Sequence, residues 1–462
     1  MSFSIVSAVV MSCACILSSN AADIMLRIQN KEGKYGFCNT NGNLVIDCMY
    51  DSASSFFPNG VCAVTKGKHL YFINKSGNEI LKQWGGHTIS DVRICLPFTA
   101  NGYALMFFHA GEGKESASEN VSPTFTFKSN KGVYKCINCR GDEMFCVKFA
   151  ENEDPLFCGF WGDYLVLRKD ARPYEACKKL KRMEFYDMKG NLVATEDCIA
   201  FRLYPDGFAL TMLKNGRVYA AKNLRDFPGR ELDAKAFFKM PLYDAMSGTL
   251  SVIQSTTNSI SFMKTRIYDL DGNENQILKN KISMYDVSGW CEAGMIEVGV
   301  AMNGGEKTKG SQIVKRMKYG MIDLEGKQIV PCVYDGCDML GTNYIYIVMT
   351  DDERQVRIDQ YRDRTGKFLW QVEFSNLDSD LEDFYESWVN YRIGGQDFWA
   401  NCADGSVIYY DEKTKQTVKI PPGSKSRTEF PWKMTFPTKN ASLSLNGTKH
   451  PNTQTLKNSN TE

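Results

Sequence analysis

The residues best able to do chemistry are few and do not converge. Four histidines, His69, His87, His109 and His450, are scattered through the chain. None has the i,i+4 or short-loop spacing that a zinc or acid–base site needs. Cys136-Ile137-Asn138-Cys139, with Cys146 downstream, is the densest thiol group. A C-x-x-C with a third thiol can hold zinc or act as a redox pair. No second ligand pair accompanies it, so structural thiols or a local disulfide are the expectation. Asp269-Leu270-Asp271-Gly272-Asn273 starts like a calcium loop, but Asn280 stands where an EF-hand requires a bidentate Glu. The glycine pairs at 85–86, 304–305 and 394–395 lack phosphate-loop spacing, and no G-x-S-x-G occurs. Asp351-Asp352, Asp380 with Glu382-Asp383, and the basic run Lys178–Arg182 read as solvated loops and faces. The residues thus assign no catalytic, cofactor-binding or metal-binding position.

The elements around these residues repeat. An aromatic or aliphatic strand runs into Asp/Asn-x-x-Gly and a second strand at Gly42, Gly77, Gly141, Gly190, Gly272, Gly326 and Gly366, and more faintly at Gly405. Asp or Asn opens such a turn through its side chain, and Gly takes the position with positive φ. A degenerate unit, Gly216–Asn223, fills the longest gap and lacks the turn glycine at its expected place. A corner Tyr-Asp recurs at 50–51, 243–244, 285–286 and 334–335. Nine anchors fall on average about 45 residues apart, close to the length of a four-stranded propeller blade. The expectation is an all-β repeat fold, a β-propeller of seven or eight blades, with an open β-solenoid of stacked hairpins as the alternative.

GKYGFCNTNGNLVIDCMYDSASSFFPNGVCAV, residues 33–64, and KYGMIDLEGKQIVPCVYD, residues 318–335, resemble the WG-containing repeat family. Tyr stands where that family has Trp, and the middle units are degenerate. The resemblance implies an all-β repeat fold and, in many members, an extracytoplasmic or interaction role. It implies no catalytic residues, because the motif positions are turn and core residues.

The two ends differ from the repeats. Ile5–Leu17 is an uncharged, mostly apolar run of 13 residues, too short to span a bilayer. Ser18–Ala22 then offers a small-residue cleavage pattern, although no Lys or Arg precedes the run. Residues 1–22 are therefore read as a signal peptide and the protein as extracytoplasmic, with a buried N-terminal strand or lipidation at Cys13 as the other uses of this stretch. Residues 23–420 form the repeat domain, and the polar stretch 421–462 is expected to be disordered. Helices are expected only at 171–184 and 376–390. No later stretch is long and apolar enough for a transmembrane helix.

Sixteen cysteines in an exported chain could pair, yet Cys38, Cys62 and Cys332 sit where the repeat wants a small core residue. A net charge of +1 supplies no field for nucleic acid. These features point to an exported, non-enzymatic binding or protein-interaction platform, with a protein or glycan partner and no cofactor. The alternative is a carbohydrate-active propeller enzyme using carboxylates from different blades. Function is expected in the insertions near 86–130, 171–184, 299–315 and 371–400.

Overall fold

The repeated signature folds as a hairpin because one side chain closes its turn. Asn39 Oδ1 accepts the backbone N–H groups of Asn41 and Asn43, at 3.1 and 3.0 Å, while Gly42 donates back to the Asn39 carbonyl. The same i+2 and i+4 pattern is made by Asn74, Asn138, Asp187, Asp269, Asp323 and Asp363. Each turn thus satisfies its own donors and leaves the flanking strands free to pair.

The computed structural model describes residues 24–436, apart from 110–131, 148–153, 171–180, 233–239, 256–262, 303–305, 308–312, 315–316, 352, 375–379, 394–395 and 424–431. These residues form eight antiparallel sheets of three or more strands and one two-stranded ribbon. The first sheet holds Met25–Gln29, Tyr35–Asn39 and Leu44–Tyr50. The sixth, its closest counterpart in sequence, holds Val287–Glu292, Met295–Ala301, Met317–Asp323 and Gln328–Tyr334. In six of the eight sheets the strands lie side by side in strict chain order, and the ribbon and a late-joining strand account for the other departures.

Nine apolar clusters join the layers in succession. Phe37 and Ile46 of the first sheet pack on Val64 and Ile73 of the second. Phe72 then meets Met106, and Phe107 meets Leu165 and Leu167. Leu210 meets Val252, Ile267 meets Val298, and Met321 meets Ile347. Trp370 and Tyr361 of the seventh sheet pack on Tyr391 of the eighth. The last cluster closes the circuit: Trp399 and Ile408 of the eighth sheet pack on Leu26 and Ile28 of the first. A solenoid would leave its end sheets uncovered. This chain instead makes a ring of sheets, the propeller arrangement.

The seven-stranded fourth sheet contributes two layers to that ring. Its central strand, Leu192–Leu203, pairs with Lys181–Asp187 through its first half and with Ala209–Leu213 through its second. Met183 and Phe185 on one side pack on Ala209 and Ala221 on the other. Elsewhere the same passage is broken by the Tyr-Asp corner, where Leu44–Tyr50 ends the first sheet and Ser52–Ala53 opens the second. Among the described residues, sheets of three or more strands number eight and packed layers nine.

The corner explains the motif residues. Lys34 pairs with Asp51, which also accepts the Gly67 N–H, and Lys318 pairs with Asp335 at 2.6 Å, which accepts the Thr350 N–H at 2.9 Å. Gly36 and Gly320 lie against the backbone of the following strand. A Cβ at either would come within 2.5 Å of the carbonyl oxygen of Ile46 or Val330. Only glycine allows that approach.

Three expectations need correction. Residues 380–390 are not helical, since Asp380–Tyr385 and Trp388–Ile393 are paired strands, and 376–379 lie outside the described residues. Lys181–Glu184, the end of the other expected helix, is strand, and its remainder lies outside the described residues. In both places pairing with a neighbouring strand wins over helix propensity. A short helix, Gln276–Ile282, instead covers the fifth sheet with Leu278 and Ile282. The degenerate unit has kept its glycine, since Gly216 has φ +74° and bonds to the Leu213 carbonyl; the Asp/Asn is what it lost. In the polar C-terminal stretch, Trp432–Thr435 adds a fifth strand to the seventh sheet beside Phe368–Phe374.

Candidate functional site

The sequence motifs that suggested chemistry are taken up by structure. Cys136 is buried in the core, while Cys139 and Cys146 are exposed, so the three thiols do not converge. Burial pushes the Cys136 thiol up to about 12, which removes its nucleophilic form at neutral pH. The thirteen cysteines among the described residues are all free thiols. Asp269 spends its carboxylate on the turn, and Asp271 pairs with Arg230. His69 bonds to the Gly86 carbonyl through Nδ1 at 2.9 Å, and His87 packs edge-on to Phe108. His450 and residues 1–22 lie outside the described residues. No group of three or more His, Cys, Asp or Glu able to hold a metal occurs among the described residues.

A different constellation forms where the sixth and seventh sheets meet. Glu292 ends the first strand of the sixth sheet, Glu297 lies on its second strand, and Asp338 lies on Gly336–Leu340, the first strand of the seventh. Trp290, two residues before Glu292, is 42% exposed. The turn that aims Glu292 is held from the neighbouring sheet. Asp244 accepts the N–H groups of Ala293 and Gly294 at 3.1 and 2.7 Å, and both residues have positive φ, as a two-residue hairpin turn requires. A register shift between Ser288 and Cys291 sets Trp290 out of the ladder. Glu297 Oε2 lies over Gly289, within 3.3 Å of where a Cβ would stand.

Electrostatics marks these carboxyls out. Burial, then the negative charges of Asp338 and Asp244, push Glu292 up to about 7. Burial and Asp338 push Glu297 up to about 8, against the Cys337 backbone N–H, which favours its ionised form. Burial raises Asp338 as well. Glu292 and Asp338 nevertheless reach solvent. Each is ringed by protein yet open to water, so low dielectric and like charge act together on an accessible acid.

The equivalent place in the first sheet carries the opposite charge. Arg27 faces Phe37 as Glu297 faces Met321, each across from the third motif residue. Arg27 Nη1 donates to the Ala53 carbonyl at 2.9 Å and its Nη2 lies 3.7 Å from Asp383 on the eighth sheet. One repeat position thus supplies a cation on one arc of the ring and an acid on another.

Sequence reasoning did not find Trp290, Glu292, Glu297 or Asp338. The site lies on regular strands and not in the insertions, of which 110–130, 171–180 and most of 303–316 fall outside the described residues. The available signal was the aligned register, in which Arg27 and Glu297 stand at a position filled elsewhere by residues such as Ala63, Leu105 and Val166.

Comparison with known proteins adds the following. No curated protein matches the chain. A solved structure described as the eukaryotic initiation factor is 12% identical, over 86% of this chain and 96% of that one, with a TM-score of 0.47. The acylaminoacyl peptidase of Pyrococcus horikoshii is 11% identical, over 84% of this chain and 54% of that one, with a TM-score of 0.29. The tricorn protease is 11% identical, over 88% and 43%, also with a TM-score of 0.29. Likeness at that level lends nothing to the reading of function. Two segments, residues 35–68 and 319–352, match the family model described as WG containing repeat, so the chain carries WG repeats at the two places marked by its Lys-Tyr-Gly and Tyr-Asp residues.

Proposed function

We propose that the protein is a non-enzymatic interaction platform and that its acidic arc receives a cationic segment of a partner protein. The observation that carries this reading is that Asp338 lies near both Glu292 and Glu297, with the exposed Trp290 on the strand that ends in Glu292. A lysine or arginine side chain there meets carboxylates for its charge and an indole for its stem. Its arrival favours the ionised acids, so binding expels protons and strengthens as pH rises. Titration calorimetry with an oligolysine peptide tests this. Affinity at pH 8.5 should exceed that at pH 6 and should fall about tenfold or more in the triple variant Glu292→Gln, Glu297→Gln, Asp338→Asn. Equal affinity in the variant would refute the assignment.

A second reading is favoured by the same raised acids: a carbohydrate-active enzyme in which Glu297, protonated at neutral pH, is the general acid and Trp290 the sugar platform. Release of reducing sugar from a panel of glycans, abolished by Glu297→Gln, supports it; no release from any of them leaves the platform reading.

A further inference from the structure

The outer edge of the seventh sheet differs from its counterparts. In the first and sixth sheets the outer strands among the described residues, Leu44–Tyr50 and Gln328–Tyr334, each shift register twice against their inner neighbours. Such bulges twist an edge and spoil it for further pairing. The matching strand of the seventh sheet, Phe368–Phe374, runs without a break from Phe374 opposite Arg357 to Trp370 opposite Tyr361, and shifts only beyond that. On this straight edge lies Trp432–Thr435, paired antiparallel with residues 371–374.

The seated strand shows what the edge accepts. Met434 stands opposite Val372, while Lys433 and Thr435, opposite Glu373 and Gln371, are exposed. Met434 and Phe436 pack on the cluster that holds Trp370, Val372 and Phe374. Phe436 lies over Gly405, in a turn of the eighth sheet, where a Cβ would come within 2.7 Å of its ring and 3.0 Å of Trp370. The Trp370 indole is fixed there by its N–H, which donates to the Cys402 carbonyl at 3.0 Å. The strand holds this place lightly. Among the described residues it pairs on one edge only, and Met434 and Phe436 are no more than half-buried. It also arrives out of chain order, after Gln416–Ile420 has ended the eighth sheet.

We propose that the outer edge of the seventh sheet is a docking site for an extended segment of a partner protein, and that residues 432–436 are the clasp that fills it in the free chain. The partner strand pairs antiparallel with residues 371–374. It sets an aliphatic side chain beside Val372 and, two residues later, an aromatic ring on Trp370 and Gly405, with polar residues facing water between them. Backbone pairing supplies the affinity and the two inward positions supply the selectivity. The site uses the last strands of the seventh sheet, whereas Asp338 of the acidic arc lies on its first, so it stands independently of that arc.

Fluorescence anisotropy of a labelled peptide spanning residues 431–437 tests this on the full chain. In the wild type the clasp competes from the same chain, at an effective concentration of the order of millimolar. The Met434→Asp, Phe436→Asp double variant frees the edge and should bind the peptide at least about tenfold more tightly than the wild type does. A peptide carrying the same two changes should not bind. Equal binding by wild type and variant, or binding by neither, overturns the proposal. Amide exchange of the wild type is a second readout that needs no variant. Residues 432–435 should exchange at least about tenfold faster than Val356–Asp363 of the same sheet, because the clasp opens while the sheet stays folded. Equal protection of the two overturns the proposal, and if the variant fails to fold the exchange rates decide.

Discussion

The indole N–H of Trp399 donates to the backbone carbonyl of Arg27, across 372 residues of sequence. That bond ties the last sheet to the first, with Arg392 to Gln29, Thr417 to the Gly42 carbonyl and Lys419 to the Thr40 carbonyl nearby. Among the described residues no strand is shared across the seam. Among them closure rests on side chains, and Trp399, 1% exposed, is with Trp388 one of the two largest in the shared core. Trp399→Phe should cost about 1 kcal/mol, for the lost hydrogen bond, and Trp399→Ala about 3–5 kcal/mol, for the cavity. Urea unfolding of the two variants checks the difference.

Gly36→Ala and Gly320→Ala place a methyl against backbone that cannot move aside. Each should destabilise by about 1–3 kcal/mol. Gly289→Ala, which meets only the flexible side chain of Glu297 besides a carbonyl at 3.8 Å, should cost less. Thermal unfolding of the three ranks them.

The raised acids fix a pH dependence. Glu292 and Glu297 hold their protons in the folded state up to about 7 and about 8, whereas the unfolded chain releases them near ordinary carboxylate values. Between those limits the folded state binds more protons, so these groups stabilise it at low pH and that contribution is lost as pH rises through 7 and 8. The melting temperature of the wild type should fall across that window, and the Glu292→Gln, Glu297→Gln double variant should show a flatter profile.

Asp359 is wholly buried and accepts hydrogen bonds from Tyr346 at 2.7 Å, Tyr391 at 3.0 Å and Arg357 at 2.7 Å. It lies between the seventh and eighth sheets, where Tyr361 also stacks on Trp370. Asp359→Ala strands the Arg357 charge and two phenols together, and should cost about 3–5 kcal/mol. Chemical denaturation measures it, and a loss below about 1 kcal/mol would mean that water takes the carboxylate's place.

The fold was more legible than the site, for a physical reason. Asn39, Gly42, Gly36 and the Tyr50-Asp51 corner are fixed by local backbone geometry, which recurs at each unit and so shows as a repeat. Residues 376–390 misled because a stretch of helix-forming charged residues runs into a strand pair, and pairing with the neighbouring strand overrides local propensity. Glu292, Glu297 and Asp338 come from three strands of two sheets, up to 46 residues apart. Their meeting depends on how adjoining sheets pack, which no local pattern records.

Closure of the ring is the central structural claim. Hydrogen–deuterium exchange of the wild type and of Trp399→Ala, followed peptide by peptide, tests it most directly. Closure requires that residues 24–39 and 388–411 lose protection together while Tyr103–His109, on the far arc, keeps its own. Loss confined to 388–411, with 24–39 unchanged, would contradict a closed ring.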